Sequence, residues 1–255
     1  MSENLLKVSI DGAIATLTMD RPQKRNAMCD ELLAEFDRFF RSPPPEIKAV
    51  IITGAGGHYC SGLDLSEHVA RDPEQTMRHS RSWHDVMDRI QYGGLPVVSA
   101  MTGAVIGGGL ELATSTHVRI AEKSVIFQLP EGRRGIFVGG GATVRVGRIL
   151  GADRMVEMML TGRRYSAEEG LALGLAHYAV GDGEALALAN DLARRIASNA
   201  PLSNYIMIHA ISRIEDMARA DGLFAESLCA ALTQTSENAA EGLSAFLEKR
   251  NPNFR

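Results

Sequence analysis

The sequence predicts an α/β protein with a helical C-terminal region, and two patterns carry this prediction. Over the first two thirds of the 255 residues, short β-branched runs alternate with segments of helical period. After about residue 182 the apolar side chains recur with helical period only. The composition, 45% hydrophobic and 23% charged, is that of an ordinary globular chain, and α/β folds of about 250 residues often form a single unit. We expect the helical part to be an appendage of one body.

The first elements are a hairpin, a helix and a buried strand. β-like runs at 5–10 and 13–19 flank an Asp-Gly turn pair. Segment 30–40 places its apolar side chains on one helical face, and the three prolines at 43–45 prevent the helix from continuing. The continuous β-branched run at 49–54 is typical of a strand that is covered on both faces.

The alternation then repeats along the chain. A helix is predicted over 73–90, a strand over 95–101, a glycine-opened helix near Gly107 and a strand over 117–121. Helical period continues to about residue 250. Its apolar stripes indicate core packing or a subunit contact rather than a membrane surface.

Charge, cysteine usage and the N-terminal segment exclude several classes of protein. The formal net charge of -4 provides no basic field, so nucleic acid is not expected as a partner. Three widely separated cysteines indicate a reducing compartment. The chain shows no signal-peptide pattern and no run of about 18 uncharged apolar residues, so we expect a cytoplasmic protein without membrane attachment.

Glycine clusters and histidines do not complete a known catalytic motif. The clusters at 54–57, 107–109 and 139–141 match neither a phosphate-binding loop nor the dinucleotide fingerprint. No H-E-x-x-H or G-x-S-x-G segment is present, which disfavours metallohydrolases and serine hydrolases. His79 and His84 lie in a predicted helix, where ordinary packing or exposure is expected.

Two glutamates have local settings in which acid–base chemistry could arise. Glu111 lies in apolar sequence just after the glycines at 107–109, whose bare N–H groups at a helix start favour an anion. It is either a surface group stabilised by the helix dipole or an acid or base with a raised pKa. Glu131 follows Pro130 on a turn, where a solvated loop acid is the simpler interpretation. Their separation of 20 residues leaves their distance in space open.

Three longer segments carry a resemblance to a known family. They are GAGGHYCSGLDL from Gly54, PVVSAMTGAVIGGGLELA from Pro96 and FQLPEGRRGIFVGGGATVRVGRILG from Phe127. Together they resemble the crotonase family of enoyl-CoA hydratases and isomerases. RPQKRNAM from Arg21, MLTGRRYSAEEGLALGLAHYAV from Met159 and the closing AFLEKRNPNF resemble further family segments. Six segments in one order argue strongly against chance.

The resemblance implies a fold and an oligomer. It implies a crotonase-like spiral of repeated ββα units over residues 1–192 and a helical trimerisation region over 193–255. Trimers of this family often pair, so a homotrimer or a dimer of trimers is expected. No metal or redox cofactor is expected, because adding water next to a thioester carbonyl requires only proton transfer and stabilisation of the enolate. CoA is part of the acyl-CoA substrate.

The resemblance also implies a mechanism. Backbone N–H groups of Leu63 and Gly108 would hold the thioester oxygen, and Glu111 and Glu131 would be the acid–base pair of a hydratase. Hydration requires a water to lose a proton at C3 while C2 gains one, and two carboxyl groups can share these tasks. Glu111 is expected to act on the water and Glu131 on C2, with the reverse assignment open.

Substrate contacts follow from the same resemblance. The implied CoA-binding residues are Lys24, Arg25, Leu63, Asp64, Leu65, Ser66, Gly108 and, from a neighbouring subunit, Lys249. Ser66 stands where family members often have lysine, so one CoA contact must differ.

For the acyl tail, we expect Met77, Trp83 and Met87 of the long helix, together with 136–138, to form an apolar wall. His68 replaces the tyrosine of hydroxycinnamoyl-CoA hydratase-lyases, which counts against a phenolic substrate.

Other functions stay open at this stage. Within the fold, the alternatives are an enoyl-CoA isomerase and a hydratase-lyase for aromatic acyl-CoA. A third alternative is a non-catalytic acyl-CoA-binding subunit, against which the presence of both glutamates argues. An oxidoreductase would have to bind a nicotinamide or flavin, and only the glycine-rich turns point to it.

Overall fold

The computed structural model describes residues 4–67 and 70–254. The strands are β1 (Leu6–Asp11), β2 (Ile14–Met19), β3 (Ala49–Gly54), β4 (Val97–Met101), β5 (Ala104–Ile106), β6 (Val118–Glu122), β7 (Ile126–Gln128), β8 (Tyr165–Ser166) and β9 (Tyr178–Val180). The helices are α1 (Asp30–Arg41), α2 (Pro73–Tyr92), α3 (Gly108–Thr114), α4 (Ala142–Leu150), α5 (Ala152–Thr161), α6 (Ala167–Ala172), α7 (Ala185–Ala197), α8 (Pro201–Ile214), α9 (Arg219–Gln234) and α10 (Glu237–Glu248). Single 3₁₀ turns span Pro22–Lys24, Leu65–Glu67 and Glu131–Arg134.

The strands form two sheets. The larger has the order β1-β2-β3-β4-β6-β9, and its pairs are parallel except for the β1–β2 hairpin. The smaller has the order β5-β7-β8, with β5 and β7 parallel. With the C-terminal helices, this confirms the predicted mixed α/β architecture.

The local predictions for the first elements are confirmed. Gly12 takes a positive φ of 57° between the hairpin strands, a conformation that glycine adopts without strain. Helix α1 begins at Asp30 and ends at Arg41, just before the three prolines. Helix α2 has a capping box, in which Asp72 and Gln75 exchange hydrogen bonds between side chain and backbone.

Strand β3 shows why its sequence lacks alternation. Val50 and Ile52 face the larger hydrophobic cluster, which also contains buried side chains of α1, α2 and α3. Ala49 and Ile51 face a second cluster on the opposite side of the sheet. Both faces are covered, as the continuous apolar run predicted.

Helix α7 covers this second face of the sheet. Ala185, Ala189 and Ala193 are fully buried there, and their small side chains let the helix approach the strands closely. The predicted boundary between residues 192 and 193 lies inside this helix. Helices α8, α9 and α10 follow it. Within the described residues, no helix is long and apolar enough to cross a membrane.

Candidate active site

A cavity of about 390 Å³ brings together the residues that the sequence singled out for chemistry. Glu111 and Glu131 both line it. Leu63, Leu65 and Gly108 line it as well. The two glutamates therefore share one pocket with the two residues whose N–H groups were expected to bind a thioester oxygen.

The small sheet explains how residues 20 positions apart come together. Strands β5 and β7 run parallel, with Ile106 beside Gln128. Each strand delivers the chain to the same edge of the sheet, and the Gly107 N–H donates to the Gln128 carbonyl at 2.9 Å. After β5 the chain enters α3, which carries Glu111. After β7 it reaches Glu131.

Glu111 is buried, with 3% of its surface exposed, and one of its oxygens is held by backbone donors. Oε1 accepts hydrogen bonds from the N–H of Gly140 at 2.8 Å and of Ala142 at 3.0 Å, where α4 begins. Burial raises the pKa of Glu111, and these two donors act in the opposite direction. The other carboxylate oxygen remains available for a proton-transfer partner.

Glu131 is almost as buried, at 8% exposure, but its setting is different. Its Oε2 has no hydrogen-bond partner among the described residues. Burial, helped by the nearby charge of Glu111, raises the pKa of Glu131 to about 7. Near neutral pH this carboxyl group is therefore protonated in a large fraction of molecules.

Two glycines leave the space that the carboxyl groups occupy. A Cβ at Gly107 would lie 2.6 Å from Glu131 Oε1. A Cβ at Gly140 would lie 2.5 Å from Glu111 Oε2. Both distances are shorter than a non-bonded contact, so any side chain at either position would displace a glutamate.

Leu63 and Gly108 present backbone N–H groups to the same region. An isolated bridge joins Met28 to Leu63 through bonds from Met28 N–H to Gly62 and from Asp64 N–H to Met28, so the N–H of Leu63 points away from Met28. Gly108 opens α3, where the first N–H groups have no partner inside the helix. A Cβ on Gly108 would come within 3.5 Å of the Leu63 nitrogen. The two donors thus border one small space.

Asp64 organises the loop that follows Leu63. Its Oδ2 accepts hydrogen bonds from Arg21 at 2.9 Å and from Lys24 at 2.7 Å, and its Oδ1 accepts from the Ser66 hydroxyl at 2.7 Å. Burial alone would raise the pKa of Asp64, but the hydrogen bonds from Lys24, Ser66 and Arg21 outweigh it and hold the pKa well below its usual range. Lys24 also donates to the Ser66 hydroxyl at 2.7 Å. An ammonium group therefore lies beside Ser66 even though the position itself carries no lysine.

Of the eight expected CoA-binding residues, Leu63, Leu65 and Gly108 line the cavity, and Lys24, Arg25, Asp64, Ser66 and Lys249 do not. Arg25 is exposed in the left-handed conformation, with φ of 51°, next to Lys24. Lys249 is exposed at the C-terminal end of α10 and does not line the cavity of its own chain. Its expected contribution from a neighbouring subunit stays a prediction. His68, which bears on a phenolic substrate, lies outside the described residues.

The expected apolar wall of α2 is wrong in two of its three residues. Met77 is 61% exposed on the outside of the helix, because six positions separate it from Trp83 and place it about 120° away. Met87 is fully buried in the core instead of the cavity. The face of α2 that lines the cavity carries Thr76, His79, Ser80 and Trp83. Residues 136–138 line the opposite wall, as expected.

Comparison with known proteins identifies the family. The family model described as enoyl-CoA hydratase/isomerase matches residues 9–255. The chain belongs to the enoyl-CoA hydratase/isomerase, or crotonase, family. It is 32% identical over 251 residues to enoyl-CoA hydratase EchA19 of Mycobacterium tuberculosis, covering 96% of this chain and 94% of that protein.

Solved structures of crotonase-family proteins have the same fold. A crystal structure from Rhodopseudomonas palustris CGA009 superimposes with a TM-score of 0.94 at 46% identity, covering 96% of this chain and 95% of that one. The crystal structure of an enoyl-CoA hydratase from Bacillus anthracis gives a TM-score of 0.92 at 30% identity, covering 98% of each chain. The match extends over the whole crotonase fold, including the helical C-terminal region.

Several features of this crotonase-family site were missed at the sequence level. The N–H groups that hold Glu111 come from a glycine cluster that matched no motif. Arg145 connects that cluster to α2, since its guanidinium donates to the Gly140 carbonyl at 3.2 Å and to Asp88 at 2.5 Å. His79 was expected to be ordinary, yet it lines the cavity; its spacing of four residues from Trp83 was the available signal.

The arrangement can move two protons at one bound molecule. One carboxylate is hydrogen-bonded, the other carboxyl group retains its proton near neutrality, and two N–H donors border the space between them. Among residues 4–67 and 70–254, no three His, Cys, Asp or Glu side chains are grouped to hold a metal ion. That the reaction needs no cofactor stays a prediction.

Proposed function

We propose that the chain is an enoyl-CoA hydratase, which adds water across the 2,3 double bond of a 2-enoyl-CoA thioester. The observation that carries the proposal is the shared cavity, in which Glu111 and Glu131 meet the N–H groups of Leu63 and Gly108. Membership of the crotonase family supports the same reaction class.

The N–H groups of Leu63 and Gly108 bind the thioester oxygen. As water attacks C3, the electrons of the double bond move toward the carbonyl and develop negative charge on that oxygen. Fixed donors at this position stabilise the enolate, and each contributes about 10² to 10³ in rate. The donors are backbone groups, so a substitution acts on them only where its new atoms fill the space in front of the N–H groups.

The two carboxyl groups divide the proton transfers. Burial raises the pKa of Glu111, and two backbone donors to its Oε1 oppose this rise; in the ionised form its Oε2 accepts a proton from the attacking water as the C3–O bond forms. Glu131, with a pKa of about 7, gives its proton to C2 as the enolate collapses. Glu111 ends protonated and Glu131 ionised, and exchange with solvent restores the starting state.

Asp64 and its partners hold the CoA side of the site. The Asp64 bonds fix the loop that carries Leu63, Leu65 and Ser66. Lys24, whose side chain is 40% exposed, and the exposed Arg25 offer cations that suit phosphate. The hydrogen bond from Lys24 to the Ser66 hydroxyl brings an ammonium group to the position where other family members often have lysine.

We further propose that the chain assembles as a homotrimer or a dimer of trimers through its last helices. Phe224, Leu228 and Leu232 recur every four residues on α9, and each is more than half exposed. On α10, Phe246 is 79% exposed and Leu247 is 71% exposed. Such apolar stripes are typical of surfaces buried between subunits. Light scattering coupled to gel filtration will give the mass of the assembly.

Hydration of crotonyl-CoA tests the reaction and both roles. We expect loss of the ultraviolet absorbance of the conjugated thioester with the wild-type chain. Glu111→Gln and Glu131→Gln should each lower kcat by about 10² to 10⁴, the contribution of positioned acid–base groups. Glu168→Gln, an exposed glutamate at the start of α6, is the matched control and should not change kcat.

Product analysis separates the alternatives. Appearance of the 3-hydroxyacyl thioester supports hydration, whereas a shifted double bond would indicate an isomerase. Cleavage of an aromatic hydroxyacyl thioester would indicate a hydratase-lyase. Binding of acyl-CoA without turnover of any enoyl thioester would make the chain a non-catalytic subunit.

A further inference from the structure

The part of α2 that lines the cavity is polar in its N-terminal half, away from the two glutamates. Trp83 marks the reactive end, since its ring would contact a Cβ at Gly108 at 2.9 Å and one at Gly140 at 3.1 Å. His79 and Thr76 precede Trp83 by four and seven residues and lie on the same face. At 1.5 Å per residue they stand about 6 and 10 Å further along the helix.

A carboxylate from outside α2, that of Asp30, accepts hydrogen bonds from two side chains at this polar end. Asp30, the first residue of α1, accepts from His79 Nε2 at 2.6 Å and from Arg71 Nη2 at 3.3 Å. His79 and Arg71 both line the cavity. Asp30 is largely exposed, so its bonds orient two cavity groups from the solvent side. The histidine Nδ1 and the remaining guanidinium N–H groups have no hydrogen-bond partner among the described residues.

Arg71 brings a guanidinium to this end of the cavity, and Asp30 offsets its charge without using all of its N–H groups. Arg134 lines the cavity too, but its electrostatic interaction with Glu131 places it toward the reactive end. Ile136, Phe137 and Val138 form an apolar wall of the same cavity. An alkyl chain can pack along that wall, but a methyl end would desolvate the donors without replacing their hydrogen bonds with water.

We propose that Arg71 and His79, oriented by Asp30, bind a terminal carboxylate of the acyl chain, so that the substrate class is an enoyl-CoA with an acidic far end. This rests on the proposed function for the position of the thioester. The Arg71 fork presents parallel N–H groups of the kind that pair with carboxylates. A carboxylate there exchanges water for charge-assisted hydrogen bonds, whereas a methyl group does not.

Binding of saturated acyl-CoA esters tests this proposal without turnover. Trp83 is the only tryptophan of the chain and lies in the cavity, so its fluorescence reports occupancy. Pairs of CoA esters of six, eight and ten carbons, each ending in a methyl or a carboxyl group, will be titrated. We expect at least one carboxyl-ended ester to bind about tenfold more tightly than its methyl-ended partner, the fold-change of one hydrogen bond to a charged group.

Substitutions on the cavity wall test which side chains cause the preference for carboxyl-ended esters. Arg71→Met and His79→Leu should each remove it by weakening the carboxyl-ended ester about tenfold, while the methyl-ended ester binds as before. Arg78→Met is the matched control, since Arg78 lies on the outside of α2, paired with Glu74. It should leave the preference unchanged.

Phosphate of CoA is the other anion that Arg71 could meet, and pantetheine esters of the same acids distinguish the two. If Arg71→Met weakens both CoA esters equally and neither pantetheine ester, Arg71 binds CoA phosphate and the proposal is wrong. Equal affinity of the wild type for both members of every pair would also overturn it. Failure of crotonyl-CoA hydration would instead overturn the proposed function and leave the binding result standing.

Discussion

Asp64 and Glu131 are two acidic groups in the same site region with similar solvent exposure and opposite shifts of pKa. Asp64 is 6% exposed and Glu131 is 8% exposed. Asp64 accepts hydrogen bonds from Arg21, Lys24 and Ser66, and its pKa is lowered. Glu131 has an oxygen without a partner, and its pKa is raised to about 7. Burial acts to raise the pKa of both groups; at Asp64 the three hydrogen-bond donors outweigh it, and at Glu131 no comparable set of donors does.

This difference separates a group that holds the site from a group proposed to react in it. A carboxylate surrounded by donors is held in one charge state across neutral pH and fixes its loop. A carboxyl group that lacks donors costs stability when ionised, and it gives up its proton near neutrality.

Of the variants that test this comparison, Gly108→Ala should have the largest effect. It places a methyl group in the proposed reactive region and leaves Asp64 and its partners unchanged. The new methyl group would lie 2.9 Å from the Trp83 ring and 3.5 Å from the Leu63 nitrogen. The methyl group would fill the space that the thioester oxygen needs between the two N–H groups, so we expect kcat for crotonyl-CoA to fall by about 10² to 10³, a loss of the size caused by removing one oxyanion donor.

Gly147→Ala is the control for an added methyl group. Gly147 lies inside α4, and its Cβ would meet Met155 at 3.5 Å, an ordinary contact. This variant should keep the wild-type kcat. Equal rates for Gly108→Ala and the wild type would remove Gly108 from the oxyanion site.

Asp64→Ala tests the structural side of the comparison. It removes the Asp64 carboxylate from its pair with the buried guanidinium of Arg21, and breaking such a pair costs about 3 to 5 kcal/mol of unfolding free energy. Urea unfolding will measure the loss. Asp191→Ala removes an exposed ion pair with Arg194 on α7 and should change stability by at most about 1 kcal/mol. Similar losses for the two variants would mean that Asp64 does not hold its loop through Arg21.

Of the two stability tests, Glu131→Gln should have the smaller effect, and it should stabilise the protein at neutral pH where Asp64→Ala destabilises it. Between its ordinary pKa of 4.5 and its folded pKa of about 7, the folded protein holds a proton that the unfolded chain has released. Stability therefore falls as pH rises through this range, and glutamine abolishes the fall. From pH 5 to pH 8, we expect the variant to gain about 1 to 3 kcal/mol relative to the wild type. Parallel pH dependence of urea unfolding for both proteins would contradict the raised pKa.

Much of the fold was predictable from local sequence. The β-branched run of β3 and the apolar stripe of α1 are set by side-chain period, and each survives in the structure. The small sheet was not predicted, because β5 and β7 have three residues each and show no period. Its pairing depends on contacts between distant segments, which a local pattern does not contain.

The site divides in the same way. Family motifs pointed to Glu111, Glu131, Leu63 and Gly108, and the structure brings these four residues to one cavity. The acyl wall was predicted from hydrophobicity, and this criterion wrongly included Met77. Helical spacing from Trp83 would instead have indicated Thr76 and His79, which line the cavity. The lack of a partner for Glu131 could be seen only in three dimensions.

The pH dependence of kcat/KM for crotonyl-CoA hydration tests the central claim most directly. With Glu131 as the proton donor, the wild-type value should fall about tenfold per pH unit above about pH 7, as the donor loses its proton. The residual activity of Glu131→Gln should show no such fall. A wild-type profile that stays flat from about pH 6 to pH 9, or a variant that retains the same decline, would contradict the role of Glu131 as the acid.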